Sequence, residues 1–364
     1  MRKNMKKFIK FVLIGVVSIV VVIAIAVVYM FWQMGQPLYT FGSVSAGENL
    51  RAPLEPPEQT DSSVWRVESD ISLHFNAYGE GRPVVIVHGG PGIPYANAWK
   101  GLESLEEQFT FYYYHQRGAG DSTRPINRFE SKNYPKNMTA LEQTLGIGAQ
   151  IADIERIRRI LNEEKLLLIG HSFGGFIAAL YAAEFPEQVE KMILIAPAGM
   201  LTPPQKENNI FDAVRDRIPV NEQAKYNSLV KEYFNFGGIF SKSDSDLVDL
   251  HTQVGHYLLK GMGYDISLMD APPTPGGWSS FAVYFSTGKS PDYRDAVANI
   301  TAPTLILHGD DDDISLKGSK EYEESIPNAK FVSIGCSDTT SISGHFIFDD
   351  CPDQFAEAVR EFLD

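Results

Sequence analysis

The chain has 364 residues, 44% of them hydrophobic and 21% charged, and a formal net charge of -14. This composition is ordinary for a globular protein and excludes a disordered chain, a collagen-like repeat and, with only 2 cysteines, a disulfide-dense miniprotein. Residues 1–10 contain cations and no acid, so the rest of the chain is still more acidic and a poor match to nucleic-acid phosphates.

The amino terminus predicts a membrane anchor. Residues 11–32 are a run of 22 uncharged residues, which as a helix would span about 33 Å, close to the hydrocarbon thickness of a bilayer. The cations of residues 1–10 predict a cytoplasmic amino terminus, one transmembrane helix and an extracytoplasmic body. The alternative is a signal peptide cleaved near residues 44–46, although its apolar region would normally be shorter.

After a predicted linker over residues 33–65, strand and helix patterns alternate. Helices are expected over residues 151–161, 173–185 and 354–363. Short apolar runs bounded by glycine or proline predict buried strands at Val84–Val87, Phe109–Tyr114, Leu166–Ile169, Met192–Ala196 and Thr304–Leu307. This alternation predicts an α/β fold with a mostly parallel sheet covered by helices.

One region interrupts the alternation. Residues 199–296 are more polar and helical, and the strand pattern resumes after them. We therefore expect a core in two parts, residues 66–198 and 297–364, with an inserted helical lid between them.

The strongest local signal is the sequence Gly170-His171-Ser172-Phe173-Gly174. It matches G-x-S-x-G and stands between a predicted strand and a predicted helix. A sharp turn of this kind lifts a serine hydroxyl above the edge of the sheet. Ser172 is therefore the candidate nucleophile.

A serine nucleophile needs a base and an orienting acid, which in this type of fold follow it in the order acid, then histidine. Four consecutive acids, Asp310–Asp313, follow the last predicted strand, and their spacing does not choose among them. His345 is the only histidine after His308 and is the candidate base. The glycine-rich turn His88–Gly92 follows the first predicted strand, so the Gly90 and Phe173 N–H groups are the candidate oxyanion hole.

Three segments together carry a family resemblance: HGGPG at residues 88–92, QRGAGDS at 116–122 and GHSFGG at 170–175. They resemble the α/β-hydrolase superfamily and, within it, the prolyl aminopeptidase (proline iminopeptidase) family. The resemblance selects Asp312 as the acid and implies an N-terminal proline or small residue released from short peptides. It also implies acidic lid residues that hold the substrate amino group, with Glu222 and Glu232 as candidates.

Two departures from the family pattern keep other functions open. His115 stands where the family usually has Asp. The nucleophile turn reads GHSFG, which is common among esterases, whereas close prolyl aminopeptidases more often have GGSWG. A carboxylic-ester or acyl hydrolase is therefore the alternative, and a non-catalytic binding module tethered to the membrane is an alternative of another class.

The two cysteines, Cys336 and Cys351, bracket His345. On the extracytoplasmic side of a membrane they can form a disulfide, whereas the alternative is two unconnected small apolar residues. The spacing of the remaining residues shows no metal cluster, P-loop or dinucleotide motif, so no metal or cofactor is expected.

Overall fold

The computed structural model describes residues 35–203, 210–264, 273–337 and 342–364, together with residues 5, 13–15, 17–25 and 28–29 near the amino terminus. The strands are β1 Val64–Glu68, β2 Ile71–Tyr78, β3 Arg82–Val87, β4 Phe109–Tyr114, β5 Leu166–His171, β6 Val189–Ile195, β7 Thr304–Gly309 and β8 Ala329–Ile334. The helices of the core are α1 Tyr134–Leu145, α2 Ile147–Ile160, α3 Phe173–Glu184, α9 Leu316–Ser325, α10 Ile347–Asp350 and α11 Pro352–Leu363. The helices between β6 and β7 are α4 Ile210–Arg217, α5 Val220–Tyr233, α6 Asp244–Gly261, α7 Trp278–Thr287 and α8 Arg294–Val297.

The strands form one sheet in the order β1-β2-β4-β3-β5-β6-β7-β8. β1 pairs with β2, and β2 with β4, in antiparallel fashion, whereas every pair from β4 to β8 is parallel. The five predicted strands all lie in the parallel part. The parallel arrangement matters for function because it brings the carboxyl ends of β3, β5, β7 and β8 to the same edge.

Successive side chains of the central strands pack on opposite faces of the sheet, as strand geometry requires. On β5, Leu166 and Leu168 join the core that includes α2 and α3, while Leu167 and Ile169 join the core that includes α11. The strand is therefore buried on both faces, which explains why its sequence is a continuous apolar run.

An ion network of buried side chains fixes the segment that follows β4. The Arg117 guanidinium is fully buried, and its Nε donates to Asp153 Oδ2 at 2.6 Å. Its Nη2 donates to Glu68 Oε1 at 2.7 Å, and Arg156 contacts the same two acids. The arginine of the QRGAGDS segment therefore ties β4 to β1 and α2.

The predicted membrane helix falls partly outside the described residues, as does nearly all of the basic segment 1–10. Residues 13–15, 17–25 and 28–29 are helical. Among the residues that the structure describes, no helix has both the length and the apolar character needed to cross a bilayer.

Part of the predicted linker belongs to the folded body. Tyr39 and Val44 are 2% and 0% exposed and lie in the core beside α3. The Glu184 carboxylate at the end of α3 accepts hydrogen bonds from the Tyr39 hydroxyl, the Gly42 N–H and both the N–H and the hydroxyl of Ser45. Residues 39–45 are thus attached to the folded core, which the composition of the predicted linker did not reveal.

The helices between β6 and β7 occupy the region where the sequence predicts an insertion, although residues 204–209 and 265–272 of that region lie outside the described ranges. They have an apolar cluster of their own, which includes Leu247, Trp278 and Phe281 and reaches Met138 and Leu141 of α1. The inserted helices therefore pack against α1.

Candidate active site

Ser172 lies on the turn between β5 and α3, with φ 54° and ψ -123°. This backbone conformation is rare for a residue with a side chain and stores strain, which a well-packed surrounding must hold in place. The Ser172 N–H donates to the Ile195 carbonyl oxygen at 2.9 Å, and its carbonyl oxygen accepts from the Gly175 and Ala198 N–H groups. The side chain is partly exposed and therefore accessible.

The glycine-rich turn after β3 packs directly against the serine. A methyl group added at Gly89 would lie 2.9 Å from Ser172 Cβ, so only glycine allows this approach. Gly90 has φ 120°, and Phe173 is the first residue of α3, where a helix leaves its N–H groups without intrahelical partners. The two candidate oxyanion residues thus lie on two turns that meet at Ser172.

The His88 side chain stabilises that turn through two hydrogen bonds. Its Nε2 accepts the Gln116 N–H at 3.0 Å, and its Nδ1 lies 3.0 Å from the Gly89 carbonyl oxygen, to which it therefore donates. Burial lowers the pKa of His88 to about 3, so the ring stays neutral and keeps this tautomer.

The four acids after β7 have four different partners. Asp310 accepts from the Ser333 hydroxyl, Asp311 accepts from the Ser343 N–H at 2.9 Å, and Asp313 pairs with Arg217 at 2.7 Å. Only Asp312 contacts a histidine side chain: its Oδ2 lies 2.7 Å from His345 Nδ1. The structure thus separates four residues that the spacing alone left equivalent.

The Asp312–His345 contact is buried, with the two residues 5% and 7% exposed. Burial acts to raise the pKa of Asp312, but the hydrogen bond and charge of His345, the Ser315 hydroxyl and the charge of His308 hold it well below its usual value. The ionised carboxylate can only accept, so His345 Nδ1 carries the proton and its Nε2 is the basic nitrogen.

Sequence reasoning did not identify the residues that support Asp312. The Ser315 hydroxyl and N–H both donate to its carboxylate, and His308 Nε2 donates to its carbonyl oxygen at 2.7 Å. Ser315 three residues after an acid, and His308 at the end of the strand, are signals that a search for local turn hydrogen bonds could have used.

The candidate amino-group residues are both paired with lysine. Glu222 Oε1 lies 2.6 Å from Lys260 Nζ, and Glu232 Oε1 lies 2.9 Å from Lys242 Nζ. Each pair lies among the inserted helices and is partly exposed. Neither carboxylate is therefore an unpaired acceptor for a substrate ammonium group in this structure.

The disulfide joins Cys336 to Cys351, with Cα atoms 4.9 Å apart. It closes a loop that includes His345. Residues 338–341 of this loop lie outside the described ranges. The crosslink therefore joins the end of β8 to the start of α11 on either side of the candidate base.

Within the described ranges, His74, His115 and Asp121 could hold a metal ion, since one ligand atom of each lies within 4.8 Å of the others. The Asp121 N–H already donates to His115 Nδ1 at 3.0 Å. Burial is the main reason why the pKa of His115 falls to about 4. A metal bound through this nitrogen would have to displace the hydrogen bond from Asp121.

Residues 82–350 match the family model described as the alpha/beta hydrolase fold. The match covers well over half of the chain, which therefore belongs to the α/β hydrolase fold family. Within this family the chain resembles the prolyl aminopeptidases.

Individual relatives are distant but match over most of their length. A proline iminopeptidase from Heyndrickxia coagulans is 25% identical over 297 residues, which is 79% of this chain and 93% of the relative. A putative non-heme chloroperoxidase from Synechocystis sp. is 24% identical over 253 residues, 67% of this chain and 79% of the relative. The solved structure of an esterase from Exiguobacterium antarcticum matches with a TM-score of 0.52 at 21% identity. The match covers 80% of this chain and 96% of the esterase chain, and it shows a similar fold.

Proposed function

We propose that the protein is a serine hydrolase in which Ser172 is the nucleophile, His345 the general base and Asp312 the orienting acid. The N–H groups of Gly90 and Phe173 form the oxyanion hole. The observation that carries the proposal is the 2.7 Å contact between His345 Nδ1 and Asp312 Oδ2, on the sheet edge where Ser172 occupies its strained turn.

In the proposed reaction, Ser172 Oγ attacks the substrate carbonyl carbon while His345 Nε2 takes the hydroxyl proton. Negative charge develops on the carbonyl oxygen, where two main-chain N–H groups stabilise it. His345 then returns the proton to the leaving group as the carbon–leaving-group bond breaks. Water attacks the acyl-enzyme by the same sequence of steps and releases the acid and free Ser172 Oγ–H.

The preferred substrate class is a short peptide with an N-terminal proline or small residue. The support is the similarity to proline iminopeptidases over most of the chain. The competing class is a carboxylic ester or other acylated small molecule. Two observations favour it: the His171-Ser172-Phe173 turn sequence, and the pairing of Glu222 and Glu232 with lysines, which leaves the peptide's ammonium group without either predicted acceptor.

The deciding experiment compares a prolyl arylamide with a short-chain nitrophenyl ester on the full-length chain in detergent, with Ser172→Ala as the matched control. The peptidase proposal expects arylamide cleavage that Ser172→Ala reduces at least about 10⁴-fold. Ester turnover without arylamide cleavage would reject the peptidase and retain the hydrolase.

A fluorophosphonate probe separates the enzyme from a non-catalytic module. The active chain should form a covalent adduct at Ser172, and Ser172→Ala should form none. A folded chain that neither labels nor turns over either substrate would be the tethered binding module.

We also propose that residues 11–32 anchor the protein in a bilayer, with residues 1–10 cytoplasmic and the body extracytoplasmic. The support is the uncharged run, the preceding cations, and the exposed apolar side chains of the described residues there, such as Leu13 at 58% and Ile25 at 63%. The disulfide fits an oxidising compartment. Carbonate extraction and protease protection of intact cells test this: release by carbonate, or a body protected from external protease, would refute it.

A further inference from the structure

His171, the residue before the candidate nucleophile, is buried and has a hydrogen bond at each ring nitrogen. It is 2% exposed. Its Nε2 lies 2.9 Å from the main-chain oxygen of His345, and its Nδ1 lies 2.6 Å from the Tyr95 hydroxyl. One imidazole therefore joins the turn that carries Ser172 to the main chain of the candidate base.

The partners fix which nitrogen carries the proton. A carbonyl oxygen can only accept, so His171 Nε2 donates to His345 and Nδ1 must accept from the Tyr95 hydroxyl. Burial, together with the charge of His345, lowers the pKa of His171 well below its usual value. Burial also raises the pKa of Tyr95, although a main-chain hydrogen bond at Gly89 opposes it. The imidazole stays neutral and the phenol stays protonated.

Aromatic rings hold the His171 imidazole in place. Phe348 packs edge-on with ring centroids 5.1 Å apart, Phe346 lies 5.3 Å away and Trp99 6.3 Å away. The His345 ring itself lies 4.7 Å away. A neutral side chain in so tight an enclosure has little freedom, so its hydrogen bond fixes the position of its acceptor.

We propose that His171 is a positioning residue for His345: its imidazole, oriented by Tyr95, holds the main chain of the base at the turn that carries Ser172. Asp312 orients the base through its side chain, and His171 fixes it through its backbone. This inference rests on the proposed function, because it assigns positioning to a reaction carried out by Ser172 and His345.

The inserted helices contain a matched control. There the Tyr233 hydroxyl lies 2.9 Å from His251 Nδ1, in a second buried Tyr–His pair, and His251 Nε2 is buried with no hydrogen-bond partner among the residues that the structure describes. This pair contains the same buried hydrogen bond between a tyrosine hydroxyl and a histidine Nδ1 but has no hydrogen bond to His345. Equivalent substitutions in the two pairs therefore distinguish a loss of His345 positioning from the general effect of losing a buried Tyr–His hydrogen bond.

The experiment measures kcat and KM for the better substrate, the rate of fluorophosphonate labelling and thermal unfolding. His171→Leu should lower kcat and the labelling rate about 10- to 100-fold with KM within about two-fold, since a small misplacement of the base acts on the chemical step. Tyr95→Phe should lower kcat about three- to ten-fold, because Nδ1 loses its donor and the imidazole is less firmly oriented. His171→Gln, whose amide can donate and accept at similar positions, should restore kcat to within about five-fold of the parent.

His251→Leu and Tyr233→Phe should leave kcat within about two-fold of the parent. Folded His171→Leu and Tyr95→Phe variants with parental kcat and labelling would overturn the proposal, as would equal losses of kcat in the two pairs. If His171→Leu fails to unfold cooperatively, Tyr95→Phe decides: slowed labelling supports positioning and a parental rate overturns it. Parental turnover by Ser172→Ala would instead refute the proposed function, so the two failures are distinguishable.

Discussion

The carboxyl edge of the sheet and the inserted helices contain the same kind of buried pair but use it differently. At the sheet edge, His171 bonds through both ring nitrogens, to Tyr95 and to the main chain of His345. Among the inserted helices, His251 bonds to Tyr233 through one nitrogen, and within the described part of the chain the other nitrogen is buried without a partner. Both ring nitrogens of His171 thus have a partner, and its imidazole joins two parts of the candidate site, whereas the His251 imidazole contacts neither Ser172 nor His345 through a hydrogen bond.

The largest expected effect lies at the sheet edge. Asp312→Asn keeps the size of the side chain but removes the charge that fixes the His345 tautomer, so we expect kcat to fall about 10³- to 10⁴-fold. Steady-state kinetics with matched thermal unfolding curves check this. Asp313→Asn, which loses only a surface pair with Arg217, is the control. Equal losses in both variants would contradict the assignment of Asp312.

The second effect is on stability. Arg117→Met leaves two buried acids with fewer cationic partners, and we expect the free energy of unfolding to fall by about 3 kcal/mol. Denaturant unfolding measures it. Arg82→Met removes an exposed pair with Glu190 and should cost less than about 1 kcal/mol. Similar losses of unfolding free energy in Arg117→Met and Arg82→Met would mean that the buried ion network does not stabilise the sheet edge.

The third effect lies at the seam between α1 and the insertion, where the Ser286 hydroxyl donates to Glu142. Burial, opposed by this hydrogen bond, raises the pKa of Glu142 from its ordinary value of 4.5 to about 7. The folded state then holds a proton that the unfolded state has lost, so Glu142 destabilises the fold increasingly as pH rises from about 4.5 to 7. Glu142→Gln should match the parent at pH 4.5 and exceed its unfolding free energy by up to about 3 kcal/mol at pH 8.

Unfolding curves at both pH values test this, with Glu357→Gln on the exposed face of α11 as the control. That control should show no comparable difference between the two pH values. A Glu142→Gln effect that is the same at pH 4.5 and pH 8 would show that Glu142 is already ionised in the folded protein.

The smallest effect is expected among the inserted helices. Glu222→Gln and Glu232→Gln remove exposed lysine pairs, so each should change the free energy of unfolding by less than about 1 kcal/mol and KM for a prolyl arylamide by less than about two-fold. A tenfold rise of KM in either variant would identify that carboxylate as the group that holds the substrate amine. The two regions would then share the binding of substrate.

The sequence predicted the buried strands well and the edges of the sheet poorly. The run at β5 is apolar on both faces, whereas β8 is a half-exposed edge strand with a mixed sequence, and β1 and β2 were not predicted at all. The mixed sequence of β8 gives a weak signal. β2 was missed for another reason: apolar and polar residues alternate from Ile71 to Asn76, which is typical of a half-buried strand, whereas the predicted strands were continuous apolar runs.

For the candidate site, local motifs located Ser172 and the glycine-rich turn, because strand, turn and helix are contiguous there. Asp312 was distinguished from its three neighbours only by family resemblance, and in the structure by its bond to His345. The bond from His171 to His345 joins residues 174 apart in the chain, a separation that no local pattern encodes.

The attachment of residues 39–45 to Glu184 has a consequence for the proposed membrane anchor, because little free chain is left between the anchor and the body. The Gly35 carbonyl oxygen already accepts the Lys289 N–H at 3.0 Å, and an extended chain from residue 29 to residue 35 reaches at most about 20 Å. With the proposed anchor in a bilayer, the body would therefore stay within a few nanometres of the membrane and would act on substrates that reach this zone.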